Sequence, residues 1–331
     1  LFCLAFALTE GQRYDWNPWI WALLGASVVL FGGFLLQQRA RQDREPLVPF
    51  ALFRNRNFTV MSAIGAIVSV GMVGMFLPST LYLQSVLGYS ALKAGLVLAP
   101  SSVVSMFLAP VAGRLSDRIG GKFILMAGLT LYGVGMAMFL LAAQPDSEWP
   151  VFLPSMIVAG IGIGCVFAPM ATEAMRSVEP RMAGAAAGVN NTVRQVGSVL
   201  GSAVVGAVLQ NRVVTSLQDE AARRAAELPP SARGPFVAGF RDAANGGLEV
   251  GAGQGGAAAQ LPPDVPRAVA DRIQQVAAEV FSNGFVHAMR PTMAVPIAVI
   301  LAGAAVCLLV RRHEPATAPE VPLAAEATVP H

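Results

Sequence analysis

The sequence is short of charge. Aspartate, glutamate, lysine and arginine make up 13% of its 331 residues, against about 25% in an ordinary globular domain. A water-soluble surface needs about 25–35% charged residues. The two soluble domains that this length would otherwise suggest are therefore excluded. Lysine is nearly absent, with 2 against 21 arginines. Cys3, Cys165 and Cys307 lie far apart in apolar runs, with no CxxC or His/Cys spacing. They read as small apolar residues, and no metal site is expected. G-x-x-x-x-G-K-[ST], H-E-x-x-H and G-x-S-x-G are all missing. That leaves no P-loop and no candidate nucleophile or metal for hydrolysis. Neither enzymatic activity nor a cofactor is expected. No basic segment precedes the apolar Leu1–Leu8, which is not a signal peptide. The chain begins at Leu1 and is expected to be the C-terminal part of something longer.

What the sequence has is apolar length. Hydrophobic residues are 54%, and the mean hydropathy is +0.57. The few charges are clustered. Lys93 is the only charged residue from Phe58 to Gly113, and Arg194 the only one from Met182 to Asn211. Phe123–Pro145, Trp149–Thr172 and Pro291–Val310 have none. Apolar runs of 18 or more residues read as membrane-spanning helices, and backbone in hydrocarbon must bond internally. The runs predict an all-α polytopic membrane protein. Its spans lie near Trp19–Leu36, Phe58–Leu83, Ala94–Ala112, Phe123–Ala143, Val151–Thr172, Ala183–Leu209 and Pro291–Val310, after a stub at Leu1–Leu8.

Orientation follows from Lys and Arg in short loops. One side carries twelve: Arg39, Arg41, Arg44, Arg54, Arg56, Arg114, Arg118, Lys122, Arg176, Arg181, Arg311 and Arg312. The other side's short loops carry Arg13 and Lys93. The first side is expected to be cytoplasmic, together with the tail 311–331. The formal charge of +3 is thus topological, and no nucleic-acid partner is expected. The segment 211–289 holds eight acidic residues and seven arginines and reads as a long external loop. Helical patterns appear at Glu220–Glu227 and Pro266–Phe285, with a Gly/Ala-rich stretch, Gly246–Ala259, between them. The Val269, Ile273, Val276 and Val280 stripe suits either docking on the bundle or a solvated spacer helix.

Four constellations could carry function. The first is Gly113-Arg114-Leu115-Ser116-Asp117-Arg118-Ile119-Gly120-Gly121-Lys122. Its glycines permit tight turns, and Asp117 lies near the start of the next span, where a carboxylate is favoured by the helix dipole. It reads as a charged hinge or as an ordinary positive-inside turn. The second lies in the sixth span. At 100° per residue, Arg194, Gly197 and Gly201 fall close to Asn190. Gly184, Gly188, Asn191, Gln195 and Ser198 lie on the adjoining arc, and valines and Leu200 fill the opposite, lipid-facing arc. Gly184/Gly188 and Gly197/Gly201 have the spacing of close helix packing. An arginine at mid-bilayer costs about 2.5–3.5 kcal/mol on insertion scales. Arg194 should therefore face a polar cavity or partner, or snorkel. The third runs from Pro78 to Gly95 and includes Tyr82, Gln84 and Tyr89. Upstream, Ser62, Gly65, Ser69, Met72, Phe76 and Thr80 share a face that suits either a loose apolar ligand or core packing. The fourth is Gly160-x-Gly162-x-Gly164, a close-packing face leading to Pro169 and Glu173. Glu173 is a conceivable proton site, although carboxylates at span ends more often snorkel.

These strings resemble the major facilitator superfamily. Gly113, Leu115, Asp117, Arg118, Gly120 and Lys122 fit its G-x-L-x-D-R-x-G-[RK]-[RK] loop motif. Gly121 departs, standing where the family often has a basic residue. Asn190-Asn191-Thr192-x-Arg194-Gln195-x-Gly197-x-x-x-Gly201 and Tyr82-Leu83-Gln84-x-Val86-x-Gly88-x-Ser90-x-x-x-Ala94-Gly95 are similar to strings of its fourteen-span drug:proton antiporters. The resemblance implies that 1–57 holds two linking helices, the first cut short. It implies that 58–310 is a C-terminal six-helix bundle of two three-helix repeats, and that an N-terminal half completes the transporter. It also implies export of small amphiphiles across a bacterial inner membrane, driven by a proton gradient. Asn190, Asn191, Arg194, Gln195, Met72, Phe76, Tyr82 and Gln84 would then face substrate. A facilitator for another metabolite, or a non-transporting membrane fragment, would also fit one such bundle.

Overall fold

The computed structural model describes residues 3, 4, 6, 7, 11, 14, 17–42, 46–176, 178–245 and 267–309. Most of the stub Leu1–Leu8, the Gly246–Ala259 stretch and the tail 311–331 lie outside the described residues. Among those described there is no strand. The helices are α1 (Pro18–Ala40), a short α2 (Ala51–Arg54), α3 (Arg56–Leu81), α4 (Ala91–Ile119), α5 (Gly121–Ala142), α6 (Leu153–Met175), α7 (Ala183–Arg224), α8 (Pro230–Asn245) and α9 (Arg267–Val306). Seven of them are long and apolar enough to cross a membrane: all but α2 and α8. The fold is therefore all-α and polytopic.

Local chemistry sets the boundaries. The Asn55 side chain accepts hydrogen bonds from the backbone N–H of Asn57 and Phe58, starting α3. Ser90 accepts from the Lys93 N–H, starting α4. Such caps satisfy donors that the helix leaves open. After Pro78, α3 ends in a single π-turn, Tyr82–Val86, and Gly88 supplies the positive φ (64°) that reverses the chain. Gly120, at φ 90°, does the same between α4 and α5.

The packing has an internal two-fold pattern. α3 packs on α7 as α6 packs on α4, and α3 packs on α9 as α6 packs on α5. Exchanging α3 with α6, α4 with α7 and α5 with α9 maps these contacts onto one another. Such a pattern is what two three-helix repeats produce. α1 stands apart, with 6% of its most apolar window buried. Its Val28, Val29, Leu30 and Phe31 are exposed, as are Leu92, Leu96, Met106 and Phe107 of α4. In a bilayer these faces meet acyl chains.

The segment expected as a long loop differs most from expectation. α7 runs unbroken for 42 residues and α9 for 40, about 60 Å each at 1.5 Å per residue. A hydrocarbon core of about 30 Å takes up only part of that, so both helices project beyond the bundle and α8 packs on α7 there. Apolar spacing holds the projection together. Gly201, Val205, Leu209, Val213, Leu217 and Ala221 are buried at every fourth position of α7. Four residues advance 400°, so the stripe drifts about 40° per step and turns from α3 towards α9. Leu217 meets Gly284, where an added Cβ would sit 2.8 Å from Leu217 Cδ2. Val276, Ala277 and Val280 of α9 and Phe240 of α8 complete this outer core. Of the predicted stripe, Ile273 is buried as well, so that face docks and is not a solvated spacer.

Ion pairs tie the same region. Arg224 bonds Glu220 at 2.9 Å and also reaches Glu279 on α9 and Glu227. Arg272 bonds Glu227 at 2.8 Å. The hydrogen bond to Glu220, then the nearby carboxylate charges, hold the Arg224 guanidinium above its ordinary range, against desolvation.

Candidate transport cleft

α3 and α7 approach closely because α7 offers glycine where α3 offers backbone. An added Cβ at Gly197 would lie 2.6 Å from the Ala66 carbonyl oxygen, and one at Gly201 2.9 Å from Val70 Cα. The pair α6/α4 uses the same device: Cβ atoms at Gly160 and Gly164 would meet the Ser101 and Ser105 carbonyl oxygens at 2.5 and 3.2 Å. Gly184 and Gly188 meet no neighbour among the described residues. Nothing lies within 4 Å of a Cβ built on either. At 100° per residue, each stands about 140° round the helix from Gly197 or Gly201, so the two pairs face different ways.

Beside the Gly197/Gly201 contact lies a cleft of about 350 Å³. α3 lines it with Ser69, Met72, Val73 and Phe76, and α7 with Asn191, Arg194, Gln195 and Ser198. Five residues expected to face substrate therefore meet in one place: Met72, Phe76, Asn191, Arg194 and Gln195. Arg194 lies 11 residues into α7, about 16 Å along it. Its guanidinium carbon sits 5.2 Å from the centre of the Phe167 ring, a cation–π arrangement. Its Nε and the neighbouring Asn190 Oδ1 are buried with no hydrogen-bond partner. Both flank Gly65, where an added Cβ would lie 3.1 Å from Arg194 Cγ and 3.4 Å from Asn190 Oδ1. Asn190 thus stands behind Arg194 and outside the lining.

Two further expected cavity residues do not join the cleft. Tyr82 is fully buried, because the π-turn after Pro78 carries it inward between the ends of α5 and α6. Its ring meets Phe139 and Phe152 edge-on, and its hydroxyl donates to the Gln144 carbonyl. Tyr82 is a core residue. Gln84 lies in the same π-turn and is not among the lining residues. The lipid-facing arc of α7 also needs correction. Leu200 and Val204 are exposed, but Val189 is buried beside Leu52 and Phe58, because α2 covers that end of the helix.

The charged loop is tied at several points. A Cβ built on Gly113 would meet Ala168 of α6 at an ordinary 3.5 Å, whereas Leu115 and Arg118 are exposed. Lys122 Nζ donates to the Leu308 carbonyl at 2.7 Å, closing the C-terminal end of α9. The backbone of Asp117 is in α4; its side chain lies outside the described residues. Glu173 explains the departure at Gly121. Its carboxylate accepts from the Gly121 N–H at 3.2 Å and from Arg176 at 3.1 Å. It thereby sits at the N-terminus of α5, where the helix dipole favours an anion. A Cβ on Gly121 would lie 2.7 Å from Glu173 Cγ, so any side chain there would displace the carboxylate. The spacing of residues 113–122 gave no sign of this contact, since Glu173 lies 52 residues on from Gly121, on the next helix.

Residues 4–202 match the family model described as Major Facilitator Superfamily. The chain belongs to the major facilitator superfamily. It is 35% identical over 248 residues to an uncharacterized MFS-type transporter, Rv1250, of Mycobacterium tuberculosis, covering 72% of this chain and 42% of that protein. It is 30% identical over 317 residues to the tetracenomycin C resistance and export protein of Streptomyces glaucescens, covering 95% of this chain and 55% of that protein. It is 30% identical over 242 residues to the puromycin resistance protein pur8 of Streptomyces alboniger, covering 72% and 48%. The chain spans about half the length of the curated relatives it matches.

Proposed function

We propose that this chain is the C-terminal bundle and linking region of a drug exporter of the fourteen-span branch. It would work with an N-terminal half to move small amphiphilic compounds out of the cell in exchange for protons. The observation that carries this reading is the α3/α7 cleft. It joins Met72 and Phe76 to Asn191, Gln195 and Arg194, and at about 16 Å from the start of α7 it suits the midplane substrate site of facilitator-type transporters. Methionine and aromatic walls adapt to varied ligands. The names of the Streptomyces relatives, which speak of resistance and export, support the same reading.

The surface round the cleft supports a missing half. Gly184, Gly188, Asn191 and Gln195 form an exposed face of α7 that is too small and polar to suit acyl chains. Such faces pack against other helices, here those of the N-terminal bundle. The arginine-rich loops favour a topology with the motif end and the C-terminus in the cytoplasm and the α7–α9 projection outside. Glu173 serves as a clamp on α5 and not as the proton site.

The test is drug accumulation in an efflux-deficient bacterium expressing the full-length gene. Export should collapse with the proton gradient and fall at least about tenfold with Arg194→Ala at equal membrane level. Export unaffected by an uncoupler, or at the wild-type rate with Arg194→Ala, would overturn the proposal.

A further inference from the structure

The cleft is charged with one sign only. Among its lining residues Arg194 is the one ionisable group. Among the described residues no carboxylate pairs with it. The other lining groups are apolar (Met72, Val73, Phe76) or neutral and polar. An arginine at this depth is costly unless something answers its charge. The Phe167 ring answers part of it. Nε remains without an acceptor. The apolar walls lower the local dielectric, which strengthens attraction for an anion and repulsion of a cation alike.

We propose that Arg194 makes the cleft selective for amphiphiles that carry an anionic group, a carboxylate or phenolate, over lipophilic cations of the same size. The inference rests on the transport reading above and deepens it by naming the ligand's charge. The apolar skeleton lies on Met72 and Phe76. The anionic group meets the guanidinium, whose planar fork matches a carboxylate. Gln195 and Asn191, one turn apart on the same helix, offer further donors to acceptor groups on the ligand.

The experiment uses the purified full-length transporter in non-ionic detergent and two dansyl amphiphiles of one skeleton. One ends in a carboxylate, the other in a trimethylammonium group. Wild type should bind the carboxylate at least about tenfold more tightly, a charge-assisted hydrogen bond's worth of discrimination. Arg194→Gln should bring the two Kd values within about threefold of each other. Arg194→Glu should reverse the order. Arg194→Lys, which keeps the charge, should keep the order even if the Gln and Glu proteins fold poorly. Equal binding of both probes by wild type would overturn the inference, since it would mean that a carboxylate of the protein already occupies Arg194. Preference for the cation, or no binding of either probe, would overturn it too. Efflux in cells separates the two claims. Export without charge preference refutes the role of Arg194 and leaves transport standing. Selective binding without export does the reverse.

Discussion

Gly197→Ala adds one methyl group at the tightest point between α3 and α7. The new carbon would lie 2.6 Å from the Ala66 carbonyl oxygen, 2.8 Å from its Cα and 3.0 Å from its carbonyl carbon. All three are backbone atoms, so no side chain can turn aside. Restoring an ordinary contact of 3.4 Å requires the helices to part by 3.4 − 2.6, or ~0.8 Å. Overpacking of this kind costs about 1–3 kcal/mol. At roughly 2–4 °C per kcal/mol, the apparent melting temperature should fall by about 2–12 °C. Gly234→Ala is the control. Gly234 is exposed on α8 with nothing within 4 Å, so the change should gain about 0.5–1 kcal/mol of helix propensity at most. Thermal denaturation in detergent, followed by size-exclusion fluorescence, reads both. A Gly197→Ala protein as stable as the Gly234→Ala protein would refute the assigned packing.

Other consequences are as concrete. Glu173→Ala should strip the acceptor from the buried Gly121 N–H and cost about 1–3 kcal/mol, read as a lower melting temperature. Glu173→Gln, which keeps a neutral acceptor, should lose less stability and retain proton-driven export; abolished export in a folded Glu173→Gln protein would return Glu173 to the role of proton site. Leu217→Asp should open the outer core where α7 meets Gly284 of α9, and hydrogen exchange should quicken in α8 and the outer turns of α7 and α9. Unchanged exchange there would contradict the projecting subdomain.

The spans were legible because hydrocarbon imposes one plain requirement, an apolar run of sufficient length. The cleft was legible in large part too. Arg194 announced itself as the lone cation of its span, and small, polar and methionine-bearing faces could be read at helical spacing. Glycine spacing alone did not say which pair is used. Gly184/Gly188 and Gly197/Gly201 look alike until a neighbour is known. Tyr82 was expected to face substrate because the π-turn that rotates it inward has no sequence signature beyond Pro78. The projecting helices were obscured by Arg212, Asp219, Glu220, Arg223 and Arg224, which look like loop charge. The signal that could have found them was the every-fourth-residue stripe running through Val205, Leu209, Val213, Leu217 and Ala221. Glu173 and Gly121 are 52 residues apart, and no local pattern links them.

The most direct test of the cleft as part of the export path is site-directed thiol labelling in the full-length protein, with Cys3, Cys165 and Cys307 replaced by serine or alanine. A cysteine at Gln195 should react with a membrane-impermeant maleimide and be protected by transported drug. One at Val204, which is exposed on the apolar side of α7, should be inert under the same conditions. A Gln195 position that stays unreactive, or reacts at the same rate whether or not drug is present, would contradict the account.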